Sequence, residues 1–294
     1  MRKIVLSIFM LCMFISLAQD DTLNEDVMSL EEVQKVYDSI NSGFTYEKGL
    51  VTLDGGMATI NVPQGYKFLN AKQSKKVLTD YWGNPPSDPL GMLFPENLDP
   101  LSDNLTYAVE ITYSEEGYIN DEDAKDIDYD ELLEEMKEDT KLGNPERIKL
   151  GYGSMDMIGW ASEPYYDDVE KKLHWAKELK FQDSEINTLN YNIRVLGRKG
   201  YLNLNVIGDI TVLPLVKEHV SNIVASAAFT DGNTYSDFNP DMDEVAAYGI
   251  GGLIAGKVLA KAGFFALILK FWKIIALGVA GVFAALKGRI FGKK

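Results

Sequence analysis

Residues 264–286 read FFALILKFWKIIALGVAGVFAAL, an apolar run interrupted only by Lys270 and Lys273, and no acidic residue follows Glu244. At about 1.5 Å per residue these 23 positions form a helix just long enough to cross a hydrocarbon core of about 30 Å. The two lysines cost about 2.5–3.5 kcal/mol each at the bilayer centre, less where they snorkel. Fourteen large apolar residues in the same window offset that cost. Two shorter spans, 248–269 and 274–290, are the alternative. They would leave residues 287–294 outside, against the positive-inside distribution, whereas a single span places this basic tail in the cytoplasm. Gly252-x-x-x-Gly256 fits close helix packing but is a weak signal in so Gly- and Ala-rich a stretch.

The start of the chain agrees with a membrane route. Arg2 and Lys3 precede an apolar run, and Ser16-Leu17-Ala18 presents small residues at both positions read by a signal peptidase. Cleavage is expected before Gln19, with an uncleaved anchor as the alternative. Cys12, the single cysteine, lies inside that apolar run, so the processed chain has no thiol and no disulfide.

Charge divides the molecule. Of 29 Lys+Arg, two precede Gln19 and eight follow Glu244, so the 44 acids between are met by 19 bases. A surface this acidic repels nucleic acid and anionic headgroups. The expected organisation is a signal peptide (1–18), an N-terminal helix (19–43), an acidic extracytoplasmic domain (44–245), a Gly/Lys-containing juxtamembrane helix (246–263), the transmembrane helix (264–286) and a basic cytoplasmic tail (287–294).

Within the acidic part, Ser29-Leu30-Glu31-Glu32 is a capping box, starting a helix that carries Val33, Val36, Tyr37 and Ile40 on one face and stops at Gly43. Residues 49–53 and 57–62 flank Asp54-Gly55-Gly56 as a hairpin. A short helix is expected over 72–81. Residues 82–95 contain four prolines and two glycines and are expected to form a fixed irregular loop. Its Trp82, Asn84 and Phe94 make a candidate interaction site. Residues 107–113 alternate as a strand and lead to a helix over 131–140. Three further alternating runs, 171–181, 189–195 and 202–206, predict an antiparallel meander with one apolar face and one polar face rich in asparagine. A helix over 214–229 would cover the apolar face. The fold class is α+β: an antiparallel sheet covered by helices, plus the C-terminal transmembrane helix.

Candidate chemistry is sparse. Asp121, Asp123, Asp126, Asp128 and Asp130 form an acidic cluster. Counted from Asp126, an EF-hand loop needs Gly sixth and Glu twelfth, where Glu131 and Lys137 stand. Asp126 or Asp128 capping the following helix is the better reading. Gly151-Tyr-Gly153 lacks the third glycine of a nucleotide loop, since position 156 is Asp156. The histidines are His174, on a strand, and His219, in a covering helix. No serine, cysteine, zinc or phosphate-loop signature occurs. Neither a catalytic residue nor a cofactor is expected.

Trp82-Gly83-Asn84-Pro85, Gly117-Tyr118, residues 121–124, Ile127-Asp128, Gly159-Trp160, Trp175-Ala176, Leu189-Asn190-Tyr191, Leu196-Gly197-Arg198 and residues 246–249 resemble the membrane-anchored family "domain of unknown function 2167". The resemblance runs from about residue 43 to the C-terminal span. It implies a bacterial envelope protein and supplies no activity. A looser, fold-level likeness is to PsbP- and Mog1-type α+β sandwiches, where a strand ending as Val62-Pro63-Gln64-Gly65 does opens the sheet. The resulting expectation is a single-pass protein of the bacterial cell membrane. Its acidic domain binds or assembles another envelope protein through residues 82–95 and the asparagine-rich face. The competing readings are a carboxylate-dependent hydrolase of an envelope polymer, and a membrane-active or oligomeric protein working through its C-terminal segment.

Overall fold

The computed structural model describes residues 29–102, 104–182 and 184–256. The expected signal peptide, transmembrane helix and cytoplasmic tail lie outside the described residues, and no described helix is long and apolar enough to cross a membrane. In chain order the elements are α1 (Leu30–Asn41), β1 (Tyr46–Glu47), β2 (Leu50–Thr52), β3 (Ala58–Asn61), β4 (Tyr66–Asn70), α2 (Ala71–Lys76), β5 (Gly91–Pro95) and β6 (Tyr107–Ser114). There follow α3 (Tyr129–Lys149), β7 (Met155–Asp167), β8 (Lys172–Phe181), β9 (Thr188–Gly197), β10 (Gly200–Asp209), α4 (Leu213–Ser226), β11 (Ala227–Phe229) and α5 (Ile250–Ala255). The class is α+β, with antiparallel strand pairing. The described residues form two compact units, one built from those up to Ser114 plus 202–233, the other from 115–201 plus those from Thr234 to Gly256.

In the first unit the strand order is β1-β4-β5-β6-β10, with a smaller sheet β11-β3-β2. The capping box closes as expected: Glu32 N donates to Ser29 Oγ (3.3 Å) and Ser29 N to Glu32 Oε2 (2.8 Å). The β2–β3 hairpin forms with Val51 opposite Ile60. Gly55 and Gly56 take φ of +87° and +71° in its turn, which side chains with a Cβ resist. The expected irregular stretch 82–95 is corrected at its end. Residues from Gly91 pair with both β4 and β6, and Met92, Leu93 and Phe94 are fully buried. Pro95 is tolerated because it closes the strand. The helix expected over 214–229 stops at Ser226, and Ala227–Phe229 instead pairs with β3. Strand β4 had no visible alternation because Tyr66, Lys67, Phe68 and Leu69 are all buried. Lys67 is tolerated there by its ion pair with Asp99 (2.5 Å) and its place over the Tyr46 ring (4.1 Å).

In the second unit β7, β8 and β9 form the meander, and α3 packs on β7. Strand β7 escaped the sequence reading because bulges near Met157, Trp160 and Ser162 break its alternation. Helix α3 runs nine residues beyond the expected end at Thr140 and carries Pro145 in its interior. Tertiary contacts hold this extension. Asn144 Nδ2 donates to Met155 O (3.0 Å), Met155 N donates to Asn144 Oδ1 (2.8 Å), and Arg147 Nε donates to Gly153 O (3.2 Å). The expected two-faced meander is also corrected. Leu173 lies opposite Arg194, Trp175 opposite Asn192 and Lys177 opposite Asn190. Directly paired residues share a face, so the apolar row of β8 sits with the polar row of β9. Leu189, Tyr191 and Ile193 share the other face with Glu178, Ala176 and His174. Asn192 is 5 % exposed and interior to this unit, while Asn190 beside it is half-buried, so the asparagines of β9 do not form an open surface. Of the helix expected over 246–263, the described part is the short α5, whose Ile250, Leu253 and Ile254 pack into a core with Trp175, Leu132 and Met136.

Candidate functional site

The second unit gathers its polar chemistry around Asp121. Asp121 Oδ2 accepts from Tyr166 Oη (2.6 Å) and Lys171 Nζ (2.7 Å), and Oδ1 accepts from Tyr235 Oη (3.1 Å). Four separate segments deliver these groups. Asp121 follows Ile119, a fully buried anchor. Just before it, Tyr118 bridges to Val245, and Gly117 (φ +89°) is crossed so closely that a Cβ would lie 2.9 Å from Ala246 N and Glu244 O. Tyr166 ends β7. Lys171 occupies the β7–β8 turn at φ +54°, a left-handed conformation that non-glycine residues seldom adopt. Asp167 Oδ1 organises that turn by accepting from Val169 N (3.0 Å) and Glu170 N (2.9 Å). Tyr235 opens a 3-10 turn capped by Thr234, its hydroxyl also reaching Ile119 O (2.8 Å). Tyr118 stacks between Tyr235 (4.5 Å) and Phe238 (3.9 Å), and Lys171 Nζ lies 4.9 Å from the Tyr235 ring centre.

The electrostatics follow from these contacts. Burial alone would raise the Asp121 carboxyl, but the bonds from Lys171 and Tyr166 outweigh it and hold the group below its ordinary value. Burial, reinforced by hydrogen bonding to Asp121, pushes the Tyr166 phenol well up. Burial, then the contact with Tyr118, does the same to Tyr235. Asp121 is therefore a fixed anion held by three side-chain donors, unsuited to exchanging a proton. Beside it opens a groove of about 610 Å³, lined by Lys125, Tyr129, Tyr165, Tyr166, Asp168 and Lys171 among others. Tyr165 is 56 % exposed at its wall.

The acidic cluster expected from the sequence separates into different tasks. Asp123 accepts from Ile250 N (2.8 Å) and Gly251 N (3.0 Å), capping α5 from a distance. Asp128 accepts from Asp130 N and Glu131 N, both at 3.0 Å, and caps α3 as expected. Asp126 and Asp130 are exposed. No group of acidic, histidine or cysteine side chains suited to a metal ion occurs among the described residues. Of the loop residues, Asn84 is exposed. Trp82 donates from Nε1 to Pro100 O (3.0 Å) and meets Phe94 edge-on at 6.3 Å. Phe94 is fully buried and belongs to the core of the first unit. His174 shares a hydrogen bond of 3.0 Å with Tyr191 Oη, and burial holds its imidazole below its ordinary value despite Asp167 nearby. Sequence reasoning missed Tyr166, Lys171 and Tyr235. Tyr235 lies 114 positions from Asp121, and no local spacing announces a contact of that range.

Among curated proteins, no sequence match is found. Among solved structures, the chain is similar to the cyanobacterial PsbP (CyanoP) of Synechocystis, at 10% identity and a TM-score of 0.36, over 62% of this chain and 91% of that one. It is also similar to the Ran-binding protein Mog1p of Saccharomyces cerevisiae, at 11% identity and a TM-score of 0.32, over 67% of this chain and 100% of that one. Residues 45–284 match the family described as "Protein of unknown function (DUF2167)", a match that takes in both compact units and most of the apolar C-terminal run, and the chain belongs to that family.

Proposed function

We propose that the chain is a membrane-anchored extracytoplasmic binding module of the bacterial envelope, held by residues 264–286 and engaging an envelope protein partner through the groove beside Asp121. The observation that carries this reading is the Asp121 carboxylate with three side-chain donors. Such a group shapes a surface and fixes its charge. It is poorly placed to act as an acid or base, because its donors would have to release it first. The exposed Tyr165 ring, Tyr129 and the paired charges Lys125 and Asp168 (3.9 Å) suit a polar peptide segment with an apolar anchor. A carboxylate hydrolase needs one carboxyl held protonated beside an ionised one. Burial does raise Glu110, but that group belongs to the first unit, where Ser87 donates to it (3.3 Å).

The test is photo-crosslinking from position 165 in native membranes, read against Trp82→Ala and Tyr165→Ala chains. The expected result is one dominant envelope protein crosslinked from position 165 and lost on competition with the unlabelled chain. It should pull down with Trp82→Ala but not with Tyr165→Ala. Diffuse crosslinking, or a partner indifferent to Tyr165, overturns the assignment to this groove. A chain ended after Gly256 retains α5 and should still bind the partner in solution. If it does not, the C-terminal segment is the working part.

A further inference from the structure

Helix α3 is built inside out over its last turns. Its buried side chains, Leu132 and Met136, both lie in its first half. Beyond Thr140 the helix is held by polar groups, the half-buried Asn144 and Arg147 bonding to the backbone of Met155 and Gly153. The apolar residues of the same turns are left to solvent instead: Leu142, Ile148 and Leu150 are 71 %, 57 % and 64 % exposed. Gly151 (φ +86°) then turns the chain, with Gly151 N donating to Ile148 O (3.0 Å) and Tyr152 N to Arg147 O (2.9 Å). The tip is thus a closed helix end rather than a frayed one. The Arg147 guanidinium lies by the rings of Tyr152 (5.9 Å) and Phe181 (5.8 Å). Exposed Ile186 sits in the β8–β9 turn, which Gln182 N ties to this end by donating to Ser154 O (3.0 Å).

Single exposed apolar residues are ordinary on a protein surface, but three within nine positions on a helix end held by polar clamps form a patch. Charge reverses at the same place. From Asp126 to Asp139 eight acids stand against Lys137, whereas from Lys141 to Ser154 the bases Lys141, Arg147 and Lys149 stand against Glu146 alone. Charges more than about 8 Å apart are largely screened at physiological salt, so the acidic start of α3 does not cancel its basic end. The described chain ends at Gly256, just after α5, which packs into the same core as Leu132 and Met136. Phe264, where the apolar run begins, is eight positions on. Eight residues reach about 28 Å at most, so an anchor at 264–286 carries this unit against the bilayer. We propose that the end of α3 rests on the lipid surface, with Leu142, Ile148 and Leu150 entering the interface and Lys141 and Lys149 meeting anionic headgroups. The proposal rests on the anchored reading and goes beyond it by fixing which end of the unit faces the membrane. Tyr129 of the partner groove begins α3, and the 21 residues of that helix set it about 31 Å from the tip. The groove is thereby held away from the lipid, toward the envelope.

Fluorescence quenching by a nitroxide lipid in nanodiscs tests it. In the full chain carrying Cys12→Ser, bimane is attached through Gly143→Cys, where a side chain meets open space, or through Val169→Cys, in the turn at the far end of β7. The discs hold phosphatidylcholine with or without phosphatidylglycerol, and the nitroxide sits at headgroup depth. Quenching at 143 should exceed that at 169 several-fold. Replacing Leu142, Ile148 and Leu150 together by Asn should bring it down to the level at 169. These side chains are exposed, so the fold survives, as circular dichroism verifies. Lys141→Glu with Lys149→Glu should cut the quenching at 143 about twofold or more in discs with phosphatidylglycerol and leave it unchanged in phosphatidylcholine alone. Equal quenching at 143 and 169 overturns the proposal. So does a bimane at 143 that is shielded from water but not quenched by lipid, the mark of a protein covering the patch. A chain recovered in the lipid-free fraction refutes the anchor, and the proposal with it, and is told apart by that fractionation.

Discussion

At the scale of single residues, much of this protein is decided by close approaches that admit one side chain. Gly91 opens β5 directly against β4. A Cβ there would overlap the Phe68 ring and come within 2.9 Å of Leu69 O. Phe68 is 1 % exposed and cannot swing into solvent. Gly91→Ala should therefore destabilise the fold by about 1–3 kcal/mol, the usual cost of overpacking. Chemical denaturation measures it, and a loss below about 0.5 kcal/mol would mean that β4 and β5 separate easily. Nothing in the tetrapeptide Pro89-Leu90-Gly91-Met92 distinguishes this glycine from one in a loose turn. The capping residues are the opposite case. Ser29 with Glu32, and Asp128, act on amides two or three positions away, and so were legible from spacing alone.

At the scale of elements, local rules predicted the strands and helices that obey one period and failed where tertiary bonds override it. The α1 helix, the β2–β3 hairpin, β6, β8 and β9 were all legible. Strand β7 was not, because its bulges shift the side-chain alternation three times. Helix α3 continues past the expected end at Thr140 although Gly143 and Pro145 lower helix propensity there. In the fold the reciprocal amide clamp between Asn144 and Met155 supports the last turns. Asn144→Ala should leave two Met155 backbone groups without these partners. The expected effect is a loss of about 1–3 kcal/mol, with hydrogen exchange accelerating at residues 145–149 before it does at residues 130–138. Equal acceleration along the whole helix would refute the clamp as the cause.

At the scale of the whole molecule, Lys177 on β8, which burial and the like charge of Arg194 disfavour and which has no carboxylate partner among the described residues, has a consequence for pH. Lys177 ionises near 8 in the folded chain and near its ordinary 10.5 when unfolded. Between those values the unfolded chain binds the extra proton, so stability rises with pH across that window. Asp121 acts in the same sense far lower, its contribution being lost as pH falls through its depressed folded value. Tyrosines raised by burial act in the opposite sense once unfolded phenols ionise, near their ordinary 10. Denaturation midpoints should thus climb between about pH 7.5 and 9.5, despite growing self-repulsion in an acidic protein. In Lys177→Met the climb should flatten, and the variant should be more stable than wild type at pH 7. A wild-type profile that falls over that interval would contradict a Lys177 without a carboxylate partner.

Residue types and their periods by themselves determined the α+β class, the acidic character, the helix caps and most strands, because each of these rests on interactions within a few positions of the chain. Family membership was legible too, from short motifs spread along its length. The tertiary structure alone decided which strand faces share a side. Register turns on pairing across strands, and a one-residue slip exchanges the faces. That single choice moved Asn192 from an expected open surface to the interior, on the face it shares with Trp175, Lys177 and Arg194. It likewise decided that Asp121, among five similar aspartates, meets Tyr166, Lys171 and Tyr235. Those partners come from segments up to 114 positions away, a separation at which the chain carries no local record of who its neighbours will be.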